Sequence, residues 1–162
     1  VLFWCSTSAI CLFTSVISLK RRNKEAAMFL LYSGLITLYL LLDDLFMFHE
    51  SMIPQYTHAS EDMVYMLYLV LIAMYFLKFG RIILRSEYMI LCIACGFFSL
   101  SIIFDLLLSP GDMEHLAEDG FKLFGIVTWF IYFVRTSFNI LENEITSPLN
   151  RGEIFIADNP NS

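Results

Sequence analysis

Long apolar stretches constrain this chain more than any other feature of its sequence. A helix needs about 20 residues, at about 1.5 Å per residue, to cross the hydrocarbon core of a bilayer. Apolar stretches of this order occur at residues 1–19, 26–48, 63–79, 88–108 and 121–141. The sequence therefore predicts an all-α membrane bundle of about five transmembrane helices at residues 1–141. The polar residues 142–162 are predicted to form a disordered cytoplasmic tail.

Composition agrees with a membrane protein and excludes several partners. Hydrophobic residues make up 58% of the chain and charged residues 16%, whereas soluble domains contain about 25% charged residues. The net charge of −6 argues against nucleic-acid binding. The expected surroundings are the lipid bilayer, and a membrane-protein partner or a homo-oligomer is an open alternative.

Basic residues fall almost entirely on one side of the predicted layout. Lys122 is the single exception among the 10 Lys and Arg residues. Cytoplasmic loops of membrane proteins carry an excess of these residues. The pattern predicts an outer N-terminus and an inner C-terminus. The residues that give this orientation are Lys20, Arg21, Arg22, Lys24, Lys78, Arg81, Arg85, Arg135 and Arg151.

Acidic residues and all 3 histidines are concentrated on the opposite, outer side. Asp43, Asp44 and Asp105 lie inside apolar stretches, where a carboxylate costs roughly 2.5–3.5 kcal/mol and usually marks a functional site. Helical spacing predicts that these acids belong to inward-facing stripes. The predicted stripes are Tyr32, Tyr39, Asp43 and Glu50; Ala94, Ser101 and Asp105; and Glu118, Lys122, Gly125, Trp129 and Tyr132.

A short pattern occurs twice and predicts a tandem repeat of two helical hairpins. Each copy reads Asp-Leu, a loop, and then His-x-x-Glu-Asp, at residues 44–45 with 58–62 and at residues 105–106 with 115–119. His and Glu three residues apart share one face of a helix. We therefore expect one shared site near the outer boundary of the membrane, formed by Asp44, His58, Glu61, Asp105, His115 and Glu118.

The residue types in this predicted site are those of metal centres. Pairs of Glu and His with additional carboxylates resemble the ligand set of di-metal helix bundles, and they suit Zn, Fe or Mn. An ion-paired cluster around Lys122 and a solvated acidic rim are the structural alternatives. Further candidates for the site are Asp43, His49, Glu50, Asp119 and Lys122.

Two resemblances to known families rest on short motifs. The stretch 42–47 resembles the Asp-Glu-Leu-Pro-Met stretch of alkaline ceramidases, which are seven-span membrane zinc hydrolases, but Thr37 stands where that family has a His after Ser33. Residues 43–50, Asp-Asp-Leu-Phe-x-x-His-Glu, and 118–126, Glu-Asp-Gly-x-Lys-x-x-Gly-Ile, resemble small bacterial membrane proteins of cyanobacterial type. The second resemblance implies the membrane class and topology.

Three functions are consistent with these patterns. The leading hypothesis is a small multi-pass protein of a bacterial inner membrane whose outer Asp/Glu/His site binds a divalent cation or handles protons. The second is a membrane-embedded metal enzyme, either a lipid hydrolase or a di-metal oxidase. The third is a structural or assembly subunit of a membrane complex.

Overall fold

A computed structural model of the 162-residue chain describes residues 1–46, 61–107 and 112–157. Side chains at 61–65, 67–68, 105–107, 112–118 and 147–157 are outside this description. The described residues form five helices and no strand, which confirms the predicted all-α bundle of five helices. The helices are α1 (Leu2–Lys20), α2 (Lys24–Phe46), α3 (Glu61–Arg85), α4 (Tyr88–Leu107) and α5 (Asp112–Ala157).

The two connections between helices that the structure describes are closed by local hydrogen bonds. Asn23 caps α2, because its side-chain oxygen accepts a hydrogen bond from the backbone N–H of Ala26 at 3.3 Å. Arg22 precedes it with φ 64°, in the left-handed region that reverses the chain. Between α3 and α4, the Ser86 hydroxyl donates to the carbonyl of Ile83 at 2.7 Å. Both connections are therefore tight turns.

The helices pack unequally. The most extensive contacts are those of α1 with α2 and of α4 with α5, and α1 also packs along α5. Helix α3 contacts α2 and α4 only sparsely. The two hairpins of the predicted repeat, α2–α3 and α4–α5, are therefore packed differently. The loops that carry part of the repeated pattern, at residues 47–60 and 108–111, lie outside the described residues.

Two glycines allow close approach at the extensive helix contacts. A Cβ placed on Gly34 of α2 would lie 2.9 Å from the side chain of Leu12 on α1. A Cβ on Gly125 of α5 would lie 2.8 Å from the ring of Phe98 on α4. Small residues at such contacts are typical of membrane helix bundles, in which backbones approach closely.

Aromatic rings fill the centre of the bundle. Phe29, Tyr132 and Phe133 are fully buried, and Trp129 packs against Phe133 with ring centroids 5.0 Å apart. Trp4 of α1 stacks on Phe98 of α4 at 5.9 Å, and so joins the first helix to the last pair. Tyr75 and Phe79 of α3 belong to the same cluster, so all five helices contribute to one core.

The distribution of polarity on α1 is the reverse of that on a water-soluble helix. Its buried face consists mainly of small polar side chains, among them Thr7, Thr14 and Ser18. Phe13 and Leu19 face outward and are 70% and 60% exposed. Large apolar side chains on the outside are unfavourable in water and favourable in lipid.

Three helical segments in the described residues are long and apolar enough to cross a membrane, namely Leu2–Lys20, Lys24–Phe46 and Asp119–Thr146. The segment Tyr88–Phe104 is a shorter apolar helix. By length and composition, the chain therefore has the character of a membrane protein. The number of spans and their orientation remain predictions.

Helix α5 is longer than the predicted last span. It continues to Ala157, whereas the last span was predicted to end at residue 141 and to be followed by disorder. Beyond residue 141 the helix contacts the first connection, where the side-chain amide of Asn23 donates to Glu144 at 3.2 Å. The Thr146 hydroxyl also donates to the carbonyl of Glu142 at 2.7 Å within the helix. The last part of the predicted tail, residues 158–162, lies outside the described residues.

Candidate functional site

An ion pair joins the end of α2 to the first half of α5. The Nζ atom of Lys122 lies 2.8 Å from Oδ1 of Asp44, and their side chains are 40% and 23% exposed. The neighbouring Asp43 is buried, with 8% exposure. The structure therefore brings together two candidate residues from separate predicted hairpins. It also confirms that Asp43 points into the bundle.

The face of α5 that carries Lys122 is held against α2 and α4 by the next turns of the helix. Gly125 accommodates the Phe98 ring, and the indole N–H of Trp129 donates to the Thr37 hydroxyl of α2 at 3.1 Å. Because Thr37 and Asp44 are seven residues apart, they lie on nearby faces of the same helix, about 10 Å apart along it. The predicted stripe on α5 is therefore correct for the buried residues Trp129 and Tyr132.

The predicted stripe on α2 is only partly correct. Asp43 is buried, but Tyr32 and Tyr39 are 40% and 37% exposed. The buried face of α2 instead contains residues such as Phe29 and Ser33, next to Gly34. The close contact between Gly34 and α1 fixes this rotation of the helix. On α4, the predicted inward residues Ala94 and Ser101 are both buried.

Most of the predicted six-residue site cannot be traced in side-chain detail. His58, and the alternatives His49 and Glu50, lie outside the described residues. The side chains of Glu61, Asp105, His115 and Glu118 are likewise outside the description, and their backbones are helical. Asp119 is exposed on α5. The shared site therefore stays a prediction, and Asp44 is its one member with a described side chain.

The described side chains offer no ready metal centre. Across the part of the chain with described side chains, no group of three or more His, Cys, Asp or Glu residues is placed to hold a metal ion. A carboxylate of Asp44 faces the ammonium group of Lys122. This contact matches the alternative of an ion-paired cluster around Lys122.

The opposite half of the bundle carries basic residues and a separate set of polar contacts. Arg135 of α5 pairs with Glu87 in the turn between α3 and α4. Close by, the Ser86 and Tyr132 hydroxyls are 2.8 Å apart. The contact of Glu144 with Asn23 brings α5 to the basic turn between α1 and α2. Both basic turns are therefore attached to the second half of α5.

Buried hydroxyl contacts between helices were missed at the level of sequence. Ser33 of α2 and Tyr75 of α3 have hydroxyl oxygens 2.7 Å apart, and Ser8 of α1 donates to the carbonyl of Gly34 at 3.0 Å. The helical spacing of Ser and Thr in the first two apolar stretches is the sequence signal that could have predicted these contacts. Such residues commonly form hydrogen bonds between membrane helices.

Comparison with known proteins gives one family and no closer relative. A family model described as a domain of unknown function (DUF8692) matches residues 1–136. Neither the curated proteins nor the solved structures gave a match.

Proposed function

We propose that this chain, which belongs to the DUF8692 family, is a small multi-pass protein of the bacterial inner membrane that handles protons at the outer end of its helix bundle. The observation that carries the proposal is the ion pair between Asp44 and Lys122, beside the buried Asp43. Ionisable groups within membrane helices are costly to retain, and they commonly belong to ion or proton pathways.

The chemistry of the pair favours protons over a divalent metal. An ammonium group 2.8 Å from Asp44 takes the position in which a cation would be coordinated, so a metal ion would have to displace Lys122. A proton that binds Asp44 neutralises the carboxylate and releases Lys122 without any additional ligand. Loss of the proton restores the pair, so the contact between α2 and α5 has two states that protonation selects.

Other charged groups near the pair would complete a path. Asp43 lies next to Asp44 on α2. The predicted site adds Asp105, His115 and Glu118 at the same end. Carboxylates and histidines are the usual members of proton relays in membranes.

The membrane setting of the proposal is supported by two features. The outward-facing apolar residues of α1 and the three segments of sufficient length suit a lipid environment. The basic turns lie on the half of the bundle away from Asp44, and the excess of positive charge on cytoplasmic loops then places Asp44 toward the outside. This orientation is part of the proposal.

Proton flux in liposomes tests the proposed function. Purified protein is reconstituted with a pH-sensitive dye inside the vesicles, and the decay of an imposed pH gradient is followed. We expect faster decay than in empty vesicles, and Asp44→Asn should slow the decay at least about tenfold, because a positioned proton-transfer group contributes at least that factor. Asp119→Asn, which alters an exposed carboxylate at the same end, should change it much less.

The same preparation separates the rival functions. Decay equal to that of empty vesicles, or equal loss in Asp44→Asn and Asp119→Asn, would contradict proton handling. Stoichiometric Zn, Fe or Mn in the purified protein by elemental analysis would instead support the six-residue metal site. If the protein shows neither proton flux nor bound metal, the structural or assembly subunit becomes the better explanation.

A further inference from the structure

A groove with a volume of about 430 Å³ runs between α2 and α3. The backbones of these two helices approach each other at few residues. Their contact is made mainly by long side chains, such as Phe29 of α2 against Tyr75 and Phe79 of α3. Its walls are mainly apolar and include Ile36, Tyr39, Leu40, Leu71 and Ile72. Its volume lies within the range of about 300–1,000 Å³ that is usual for small-molecule sites.

One end of the groove is cationic. Lys78 is the basic residue in its lining, with Nζ 4.1 Å from the centroid of the Tyr32 ring and 5.4 Å from that of Phe79. No acidic side chain belongs to the described lining. Tyr39 and Leu71 lie seven residues from Tyr32 and Lys78 respectively, so the apolar part extends about 10 Å from the charge.

This polarity matches one kind of molecule that surrounds a membrane protein. A phospholipid has an anionic phosphate at one end and apolar chains along the rest of its length. Lys78 also lies in the half of α3 that leads to Arg81 and Arg85. Lysine and arginine residues near the membrane surface attract anionic lipids. Each residue contributes about 1 kcal/mol to this attraction, which corresponds to an increase of about fivefold in affinity.

We propose that the α2–α3 groove binds an anionic phospholipid, with one acyl chain against the apolar walls and the phosphate at Lys78. The rings of Tyr32 and Phe79 hold the Lys78 side chain at the mouth of the groove by cation–π contacts. The lipid fills the space that remains between α3 and α2 beside Tyr75 and Phe79, whose rings pack on Phe29. The proposal does not depend on proton handling at Asp44.

Native mass spectrometry with defined lipids tests the charged end. The detergent-purified protein is titrated with phosphatidylglycerol and with phosphatidylcholine that has the same acyl chains. We expect tighter binding of phosphatidylglycerol, and Lys78→Met should reduce that preference about fivefold. Lys20→Met removes the same charge from the exposed end of α1 and should leave the preference unchanged.

A groove-filling variant tests the apolar part. Leu71→Trp fills the space beside Ile72 and should weaken binding of both lipids, whereas Leu77→Trp alters a residue on the same helix that is 85% exposed and should not. Equal lipid preference in Lys78→Met and the unmodified protein would overturn the assigned headgroup position. Equal binding by the two tryptophan variants would overturn the groove as the site. If Lys78→Met loses the lipid preference but keeps the proton flux, lipid binding in the groove is separate from proton handling at Asp44.

Discussion

At the scale of single residues, Gly125 shows how little space separates α4 from α5. The ring of Phe98 lies where a side chain on residue 125 would begin. In contrast, nothing lies within 4 Å of a Cβ on Gly96 of α4. These two glycines therefore have opposite structural roles, although both lie in apolar helices.

Alanine substitutions at the two glycines should shift stability in opposite directions. Gly125→Ala forces the Phe98 ring to move, and such overpacking typically costs about 1–3 kcal/mol. Gly96→Ala adds a methyl group in open space and gains up to about 1 kcal/mol of helix propensity. Size-exclusion chromatography after heating measures the melting temperature in detergent. It should fall for Gly125→Ala and rise or stay constant for Gly96→Ala. A similar shift for both would show that the Phe98 contact does not limit residue 125.

The pair between Asp44 and Lys122 should show energetic coupling. We expect Asp44→Asn and Lys122→Met each to reduce the free energy of unfolding, and the double variant to lose less than the sum of the two. The coupling should be about 1 kcal/mol, at the upper end for partly exposed pairs, because both side chains retain some exposure. A double-mutant cycle from denaturant unfolding in mild detergent measures it. Strict additivity would mean that the contact contributes nothing to stability.

At the scale of elements, the close packing of α1 against α2 depends on small side chains along the inner face of α1. Ser8 is 4% exposed and donates to the carbonyl of Gly34, and Ser15 donates to that of Ala27 at 2.7 Å. These contacts bring the backbones of α1 and α2 together at two levels. The interface therefore has no room for a larger side chain at residue 8.

A leucine at residue 8 should separate α1 from α2. Ser8→Leu removes a hydrogen bond and adds volume at the closest helix contact, so we expect a loss of about 1–3 kcal/mol. Val16→Leu is the matched control, since Val16 is 54% exposed on the same helix. Thermal unfolding of the two variants in the same detergent compares them. Equal melting temperatures would contradict the close packing of the two helices.

Helix α5 makes a tertiary contact beyond its apolar segment. Polar composition at residues 142–146 favours solvent exposure, but Glu144 contacts Asn23 in the turn between α1 and α2. That turn lies beside α5 only after the bundle has formed. Local composition therefore could not predict this contact.

At the scale of the whole molecule, orientation in the membrane follows from charge. The basic turns sit at one half of the bundle and the pair of Asp44 with Lys122 at the other. Retention of Lys and Arg on the cytoplasmic side then predicts an outer N-terminus.

Labelling of single cysteines should report this orientation. In a background without the four native cysteines, a cysteine at position 58 should react with an impermeant thiol reagent in intact cells, and one at position 22 should react only after lysis. The reverse pattern would overturn the orientation. Position 58 lies in the segment 47–60, outside the described residues.

The sequence by itself determined the five helices, the separation of basic from acidic ends and the inward position of Asp43. These depend on apolar length and on charge, which are properties of each segment alone. Only the tertiary structure decided the rotation of α2, the pairing of Asp44 with Lys122 and the groove between α2 and α3. Each depends on which helices become neighbours, and in an apolar bundle that choice is made by the fit of side chains such as Gly34 against Leu12 and Gly125 against Phe98. Contacts of this kind have no periodic signature, because almost every face of these helices is apolar.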